Sequence, residues 1–265
     1  MPSSPTNPSL PAEPSVKERS APPYVFRGEG HGVLQRLAWN TGRLVSRIIS
    51  ILLFRLHVAG QGNIPQSGGV LLVTNHQSFL DPWLIGIAPG RQVHYMARDT
   101  LFKGGFLHWL MELLNAFPVK RGAADLTAIR TAVERLDKGF VLNIFPEGTR
   151  SEDGSIGAIA PGVSLILNRC KNEITIVPVC IDGAFEAWPR SARFPHPHPI
   201  RIRHGKAIGA GEWRKLSPEA LALRLRTDLV NLQAAMNSPH AALSQRKLGE
   251  ALALGAARAP ARRRR

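Results

Sequence analysis

The sequence predicts an α/β fold in which a mainly parallel central sheet is flanked by helices. Short apolar runs that follow turn-forming residues alternate along the chain with segments of helical periodicity, and this alternation is typical of parallel strands joined by helices. Hydrophobic residues make up 44% of the 265 residues, which is sufficient for a buried core.

We expect four segments along the chain. Residues 1–30, which are rich in Pro and Ser, are predicted to form a disordered leader and lack the basic start and apolar run of a signal peptide. Residues 31–57 are predicted to form an amphipathic helix and residues 58–240 the folded domain. Residues 241–265 are predicted to form a basic tail rich in Ala and Arg.

Residues 33–54 have the periodicity of an amphipathic helix, because polar residues recur every three or four positions and occupy one face. The apolar run 48–54 is much shorter than the roughly 20 residues that a membrane-spanning helix needs. We therefore expect a helix that lies in the membrane surface; the alternative is a helix packed on the domain core. The polar positions are Arg36, Asn40, Arg43, Arg47 and Ser50, and the apolar positions are Leu34, Leu37, Leu44, Val45, Ile48, Ile49 and Leu52.

The net charge of +15 is concentrated in two flanking segments. Residues 31–57 carry four arginines and no acidic residue, and residues 241–265 carry seven basic residues against Glu250 alone. A nucleic-acid-binding domain usually carries its positive charge on the folded core. This distribution therefore favours an anionic membrane surface as a partner and argues against nucleic acid.

The elements of the folded domain follow from apolar runs, caps and breakers. Asp125 is predicted to cap a helix that Gly139 ends, and Ser217 followed by Pro218 is predicted to start the last helix of the domain. Pro178 lies near the middle of one apolar run and indicates either an edge strand or a strand interruption. The predicted strands are 70–74, 141–145, 174–181 and 200–204, and the other predicted helices start at Pro82 or cover 106–114, 125–138 and 161–169.

The two cysteines, Cys170 and Cys180, cannot form a disulfide framework, and neither belongs to a Cys-x-x-Cys motif. This usage is typical of a reducing compartment. We expect no metal site.

The first set of residues that could carry chemistry is the segment 75–82, which follows a predicted buried strand and precedes a helix. His76 and Asp81 are five residues apart, so a contact between them requires a turn, and Asp81-Pro82 is expected to cap the helix that follows it. A neutral imidazole can accept a proton from an alcohol, and a carboxylate at its other ring nitrogen would fix its tautomer. The alternative is that Asp81 only caps the helix and His76 is a loop residue.

Two further segments could bind a ligand. Segment 145–151 follows another buried strand, where Arg150 offers a planar fork for phosphate oxygens and Glu147 could accept hydrogen bonds from a hydroxyl group or hold Arg150. In segment 117–121 a Lys-Arg pair could supply another phosphate contact. Each segment could instead be a solvated polar turn with surface charges.

The order of these segments resembles the glycerophospholipid acyltransferase family. The first motif of that family, Asn-His-x4-Asp, is matched by Asn75, His76 and Asp81. Its third motif, Phe-Pro-Glu-Gly-Thr-Arg-Ser, is matched completely at 145–151.

The other two motifs of the family are matched less closely. In the second, Gly-x-x-Phe-x-x-Arg, Arg121 is present, whereas Asn115 and Pro118 stand where the family has Gly and Phe. The fourth, an apolar stretch around a Pro, is matched at 176–179. The resemblance covers roughly residues 56–210.

The resemblance implies that residues 58–240 form an acyltransferase domain with His76 as general base and Asp81 as the residue that orients it. The implied reaction moves a fatty acyl group from acyl-CoA or acyl-carrier protein, as a co-substrate, to the free hydroxyl of 1-acylglycerol-3-phosphate, and gives phosphatidate without a further cofactor. The implied location is the cytoplasmic face of a membrane, monotopic or peripheral. The residues assigned to the phosphoglycerol of the acceptor are Arg121, Glu147, Gly148, Thr149 and Arg150.

Two other functions are compatible with the same sequence. Within the same reaction, the acceptor could be glycerol-3-phosphate or a lyso-aminolipid. Alternatively, the chain could be a membrane- or nucleic-acid-binding module without catalysis, although His76, Asp81 and the complete third motif argue against this.

Overall fold

The computed structural model describes residues 33–105, 108, 111, 115–120 and 125–258. The predicted leader, most of the predicted helix 106–114 and residues 259–265 therefore lie outside the described residues. The strands are β1 (His57–Ala59), β2 (Gly69–Thr74), β3 (Val93–Arg98), β4 (Ala116–Val119), β5 (Val141–Ile144), β6 (Ile174–Asp182) and β7 (Arg201–His204). The α-helices include α1 (Val33–Phe54), α2 (Asp81–Ile87), α3 (Leu126–Asp137), α4 (Gly162–Leu167), α5 (Ala184–Ala187), α6 (Ala210–Trp213), α7 (Pro218–Ala234) and α8 (Ala241–Arg258).

The strands form one sheet in the order β1-β7-β6-β2-β5-β3-β4. Neighbouring strands run parallel except for β6 and β7, which are antiparallel. The predicted α/β class with a mainly parallel sheet is therefore confirmed. Because β2 pairs in parallel with both β5 and β6, the carboxyl ends of these three strands lie at the same edge of the sheet.

Both faces of the sheet are covered, which explains why its central strands are continuous apolar runs. In β2, Leu71 and Val73 pack in the cluster that includes residues of α3, α4 and α7. Val70 and Leu72 pack in the opposite cluster, which includes residues of α2 and α5. The sheet is thus the rigid layer from which the loops at its carboxyl edge project.

The predicted helix at 33–54 is present as α1, and its polar side contacts the domain. Arg43 Nη1 donates a hydrogen bond to the carbonyl of Pro89 at 2.8 Å, and Ser50 and Phe54 are buried. The apolar residues between positions 44 and 53 face away from the domain. These exposed side chains are Leu44, Val45, Ile48, Ile49, Ile51, Leu52 and Leu53. None of the helices in the described ranges is long and apolar enough to cross a membrane.

Helix capping follows the sequence at two of the three predicted positions. The Asp125 carboxylate accepts from two backbone N–H groups of the first turn of α3, and Ser217 accepts from the N–H of Ala220 in α7. Asp81 was expected to precede its helix, but α2 begins at Asp81 and the preceding cap position is Leu80. The Asp81 side chain accepts N–H groups from the loop before the helix, so it does not act as a helix cap.

The prediction that Pro178 marks an edge strand is wrong, because β6 lies between β2 and β7. The alternative, a strand interruption, is wrong as well, because β6 runs without a break from Ile174 to Asp182 and Pro178 pairs with Val73 of β2. The carbonyl of Pro178 accepts from the N–H of Gly205, just beyond the end of β7. Regular pairing of β6 with β7 ends here, and an isolated bridge between Ile176 and Ile208 follows. Pro178 therefore lies where the regular ladder ends, which is a position at which a missing backbone donor is tolerated inside a sheet.

The segment expected as a basic tail is helical over most of its length, since α8 covers Ala241–Arg258. Leu248 belongs to the core cluster that also contains α7, and Ser244 is completely buried. Ser244 and Leu248 are four positions apart and therefore lie on one face of the helix, a pattern that the arginine content of the segment obscured.

Candidate active site

The two main motifs meet at the carboxyl edge of the sheet. Strand β2 ends at Thr74 and β5 at Ile144, and the two strands pair in parallel with Val73 opposite Ile144. The segments 75–81 and 145–151 follow directly. Ligands of open α/β sheets bind at this edge, so the topology brings the predicted site residues together.

His76 and Asp81 are in direct contact. His76 Nδ1 lies 2.7 Å from Asp81 Oδ2, and the same oxygen accepts hydrogen bonds from the backbone N–H groups of Gln77 at 2.6 Å and Ser78 at 2.7 Å. The Asp81 side chain is completely buried, whereas that of His76 is 20% exposed. Asp81 is therefore a fixed partner of Nδ1, and the ring of His76 reaches the surface of the site.

Two neighbouring strands hold the segment that carries His76. The side-chain amide of Asn75 donates to the carbonyl of Ile181 at 2.9 Å and accepts from the N–H of the same residue at 2.8 Å. This double hydrogen bond ties the end of β2 to the end of β6. The imidazole of His76 stacks on Phe145, with the ring centroids 4.1 Å apart and an angle of 20° between the rings.

Glu147 contacts the backbone of the site. Its Oε1 accepts from the N–H of His76 at 2.9 Å, and its Oε2 accepts from the N–H of Gly157 at 2.8 Å. Burial raises the pKa of Glu147, while these two hydrogen bonds act in the opposite direction. Glu147 and Arg150 form no ion pair with each other. The expectation that Glu147 contacts the acceptor stays a prediction, but its visible partners position the loop of His76.

Arg150 lies at the open side of the site. Its guanidinium carbon is 3.6 Å from the ring centroid of Phe79, which is 60% exposed. Burial lowers the pKa of Arg150, and the charges of Arg190 and Arg98 lower it further. Its Nη1 is buried without a hydrogen-bond partner among the described residues. An anion placed here would satisfy that donor and offset the repulsion that Arg190 and Arg98 exert on Arg150.

Arg98 and Arg190 were not singled out from the sequence. Arg98 is the last residue of β3, which lies in the same parallel sheet, so its position at a carboxyl strand end was an available signal. Arg190 lies in the segment after α5, which contains no recognisable sequence motif. It forms an ion pair with Glu152 at 3.6 Å. We call Arg98, Arg150 and Arg190 the arginine cluster.

Of the remaining predicted residues, the structure describes Gly148 and Thr149. Gly148 and Thr149 are exposed in the turn before Arg150. Gly148 has φ of +70°, a left-handed conformation that a residue with a Cβ adopts only at a cost. Arg121 lies outside the described residues. Within the described ranges, no group of three or more His, Cys, Asp or Glu side chains could hold a metal ion.

Comparisons with known proteins point to one family. A family model described as Acyltransferase matches residues 55–182. The chain is 30% identical over 212 residues to a 1-acyl-sn-glycerol-3-phosphate acyltransferase of Pseudomonas aeruginosa. The matched residues make up 76% of each protein. It is 28% identical over 139 residues to a chloroplastic 1-acyl-sn-glycerol-3-phosphate acyltransferase of Arabidopsis thaliana, covering 51% of this chain and 38% of that protein.

A solved structure has the same fold. The crystal structure of the 1-acyl-sn-glycerophosphate acyltransferase of Thermotoga maritima matches with a TM-score of 0.61 and 22% identity, over 74% of this chain and 78% of that one. Coverage of the relatives varies, since the chain spans 40% of a chloroplastic enzyme of Brassica napus and 54% of the Bacillus subtilis protein.

Proposed function

Because this chain belongs to the acyltransferase family, in the type of the 1-acyl-sn-glycerol-3-phosphate acyltransferases, we propose that it acylates the free hydroxyl of 1-acylglycerol-3-phosphate to give phosphatidate. The observation that carries the proposal is the pairing of His76 Nδ1 with the buried Asp81 at 2.7 Å. This pairing supports a ring whose Nε2 is unprotonated and accessible to a substrate hydroxyl.

The proposed step is a direct acyl transfer. His76 Nε2 takes the proton of the acceptor hydroxyl, the hydroxyl oxygen forms a bond to the thioester carbonyl carbon, and the carbon–sulfur bond breaks. The departing thiolate then takes this proton from the imidazolium. Asp81 stabilises the imidazolium between these events. The sequence has no Gly-x-Ser-x-Gly motif that would supply a serine nucleophile.

The acceptor phosphate is proposed to bind at the arginine cluster. The unpartnered Nη1 of Arg150 and the positive charges of Arg190 and Arg98 near it support an anionic ligand at this position. Gly148, Thr149 and Arg121 are proposed to complete the phosphoglycerol site, as the family resemblance implies. Glu147 is proposed to act mainly through the backbone of His76.

The donor is proposed to be acyl-CoA or an acyl-carrier protein. Both present the acyl group as a thioester, and both carry negative charge that a protein with a net charge of +15 attracts. The assay of the proposed function therefore includes both donors.

The exposed apolar side of α1 is proposed to bind the membrane that holds the lipid substrate. Ile48, Ile49 and Leu52 are 48%, 41% and 75% exposed, and Arg47 is exposed on the same helix. An interfacial helix combines such a surface with arginines near anionic headgroups. We propose peripheral attachment at the cytoplasmic face, where the two free cysteines would stay reduced.

The test is an assay of the purified protein with a panel of acceptors and both donors, with products identified by mass spectrometry. The panel contains 1-acylglycerol-3-phosphate, glycerol-3-phosphate and a lyso-aminolipid. We expect phosphatidate as the main product. Preferred acylation of another acceptor would overturn the proposed substrate and keep the reaction type, and an absence of acyl transfer with every pair would contradict both.

A further inference from the structure

The loop formed by residues 151–157 contacts the segment that carries His76 at two points. The N–H of Ser151 donates to the carbonyl of His76 at 2.7 Å. The carbonyl of Gly154 accepts from the side-chain amide of Gln77 at 2.9 Å. Glu147 adds an indirect connection, because one carboxylate bridges the N–H groups of Gly157 and His76. This loop is therefore one of the supports that fix the backbone around His76, together with Asn75 and Asp81.

The other side of the 151–157 loop is held by the carboxyl-terminal helices. Lys247 Nζ of α8 donates to Asp153 Oδ2 at 2.7 Å and to Ser155 Oγ at 2.8 Å. Ser244 Oγ of α8 accepts from the N–H of Ile156 at 3.0 Å. The side-chain amide of Gln233, in α7, donates to the carbonyl of Gly154 at 3.1 Å. The three residues of α7 and α8 in these contacts, Gln233, Ser244 and Lys247, lie outside the range 55–182 that the family model matches.

Asp153 is the centre of the contact with Lys247. Its Oδ1 accepts from the N–H of Ser155 at 3.1 Å and from the hydroxyls of Ser151 and Ser155. Burial alone would raise the pKa of Asp153, but the hydrogen bonds from Lys247 and Ser155 outweigh it and hold the pKa well below its ordinary value. One carboxylate thus connects Ser151 with Ser155 inside the loop and receives its charge partner from α8.

The energy of the contact decides what kind of effect it can have. The side chains of Lys247 and Asp153 are 38% and 43% exposed, and ion pairs at such positions contribute little to stability. A small displacement of a catalytic group, by contrast, can cost about 100-fold in rate for 1 Å. The contact is therefore better placed to affect geometry at His76 than the stability of the fold.

We propose that Lys247 is a positioning residue for His76, acting through Asp153 and the 151–157 loop. This inference rests on the proposed function, because it requires His76 to act on the substrate. It extends the machinery of the reaction to α8, which carries no motif of the family. It also assigns the carboxyl-terminal segment a role in turnover in addition to any role of its arginines.

The first arm of the test is kinetic. We expect Lys247→Met to lower kcat about 10-fold, within the range that misplacement of a catalytic group can produce, with the KM values for acceptor and donor unchanged. Arg246→Met is the matched control, because Arg246 is the neighbouring residue on α8, is 70% exposed and forms an ion pair with Glu250 at 3.9 Å. A kcat of Lys247→Met equal to that of Arg246→Met would overturn the inference.

A double-mutant cycle identifies the route of the effect. If Lys247 acts through Asp153, then Lys247→Met combined with Asp153→Asn should lower kcat no further than the more damaging single change. Multiplication of the two single effects would show that Lys247 acts independently of Asp153 and would refute the route.

The second arm does not depend on activity. Backbone amide hydrogen exchange should become faster in Lys247→Met at 151–157 and at 75–78, and should be unchanged there in Arg246→Met. Faster exchange confined to α8 would contradict the inference. A wild-type protein without acyl transfer would refute the proposed function, whereas an active wild type with unaltered exchange in Lys247→Met would refute the positioning role alone.

Discussion

Oε1 of Glu147 accepts a hydrogen bond from the backbone N–H of His76 at 2.9 Å, so the segment after β5 holds the segment after β2 by a buried carboxylate. The second oxygen of the same carboxylate accepts from Gly157 at 2.8 Å. Because both oxygens bind backbone, any substrate contact of Glu147 would be added to an existing positioning role. The two motifs of the family are therefore one structural unit at the carboxyl edge of the sheet.

Glu147→Gln tests this positioning role. The substitution keeps the shape but replaces one acceptor oxygen with an NH2 group, which faces a backbone N–H and cannot accept from it. We expect kcat to fall with the KM for the acceptor unchanged, as measured by initial rates over a range of acceptor concentrations. A rise in the acceptor KM at constant kcat would instead indicate that Glu147 binds the acceptor directly.

Substitutions of Arg150 test the phosphate site. Arg150→Ala should raise the acceptor KM, and Arg150→Lys should restore only part of the loss, because an ammonium group cannot make a bidentate contact with phosphate. Arg130→Ala, at an exposed position of α3, is the control for loss of one positive charge. If both Arg150 variants change only the dependence on donor concentration, the arginine cluster binds the donor and our assignment is wrong.

Simultaneous replacement of Ile48, Ile49 and Leu52 by Ser tests the membrane proposal. These side chains are exposed, so we expect liposome binding to be lost even at low salt while the melting temperature stays within about 6 °C, since each surface substitution changes stability by about 0.5 kcal/mol or less. Wild-type binding should weaken in high salt without disappearing, because only its electrostatic part is screened.

The control for this variant is the replacement of Leu252 and Leu254 by Ser, two exposed positions on α8. Liposome sedimentation of this control should match the wild type. A large fall in melting temperature of the α1 variant, with liposome binding intact in the folded fraction, would favour a helix that packs on the domain core.

The lowered pKa of Asp153 predicts a pH-dependent contribution to stability. Because the folded-state pKa lies below the unfolded value of about 3.9, the contribution is complete above that value and is lost as the pH falls through the folded-state pKa. Denaturant unfolding of Asp153→Asn should therefore show reduced stability at pH 7 and a smaller difference from wild type at pH 3. A difference that grows on acidification would contradict the assignment.

The sequence predicted the parts of the fold and of the site that depend on contacts between residues close in the sequence. A turn between His76 and Asp81, the cap at Asp125 and the start of α7 all follow from residues a few positions apart. Contacts between distant segments were not predictable in this way. Lys247 and Asp153 are 94 positions apart, and no periodicity in an Ala-rich segment identifies the one lysine that reaches the 151–157 loop.

Strand order was the other feature that local patterns could not determine. A Pro in an apolar run indicates a missing donor, and Pro178 has one, but only the position at which β7 stops shows that an internal strand tolerates it. Similarly, the arginine content of residues 241–265 predicted a basic tail, whereas Ser244 and Leu248 pack α8 against the domain.

The most direct test of His76 as the general base is the turnover of His76→Ala with 1-acylglycerol-3-phosphate and an acyl thioester, measured by mass spectrometry of the phosphatidate formed. His196→Ala, at an exposed position, is the control. We expect a folded His76→Ala protein whose turnover is about 10²–10⁴-fold lower than that of the wild type, the usual contribution of general acid–base catalysis. The control should have wild-type turnover. Near-normal turnover in a folded His76→Ala variant would contradict this role of His76.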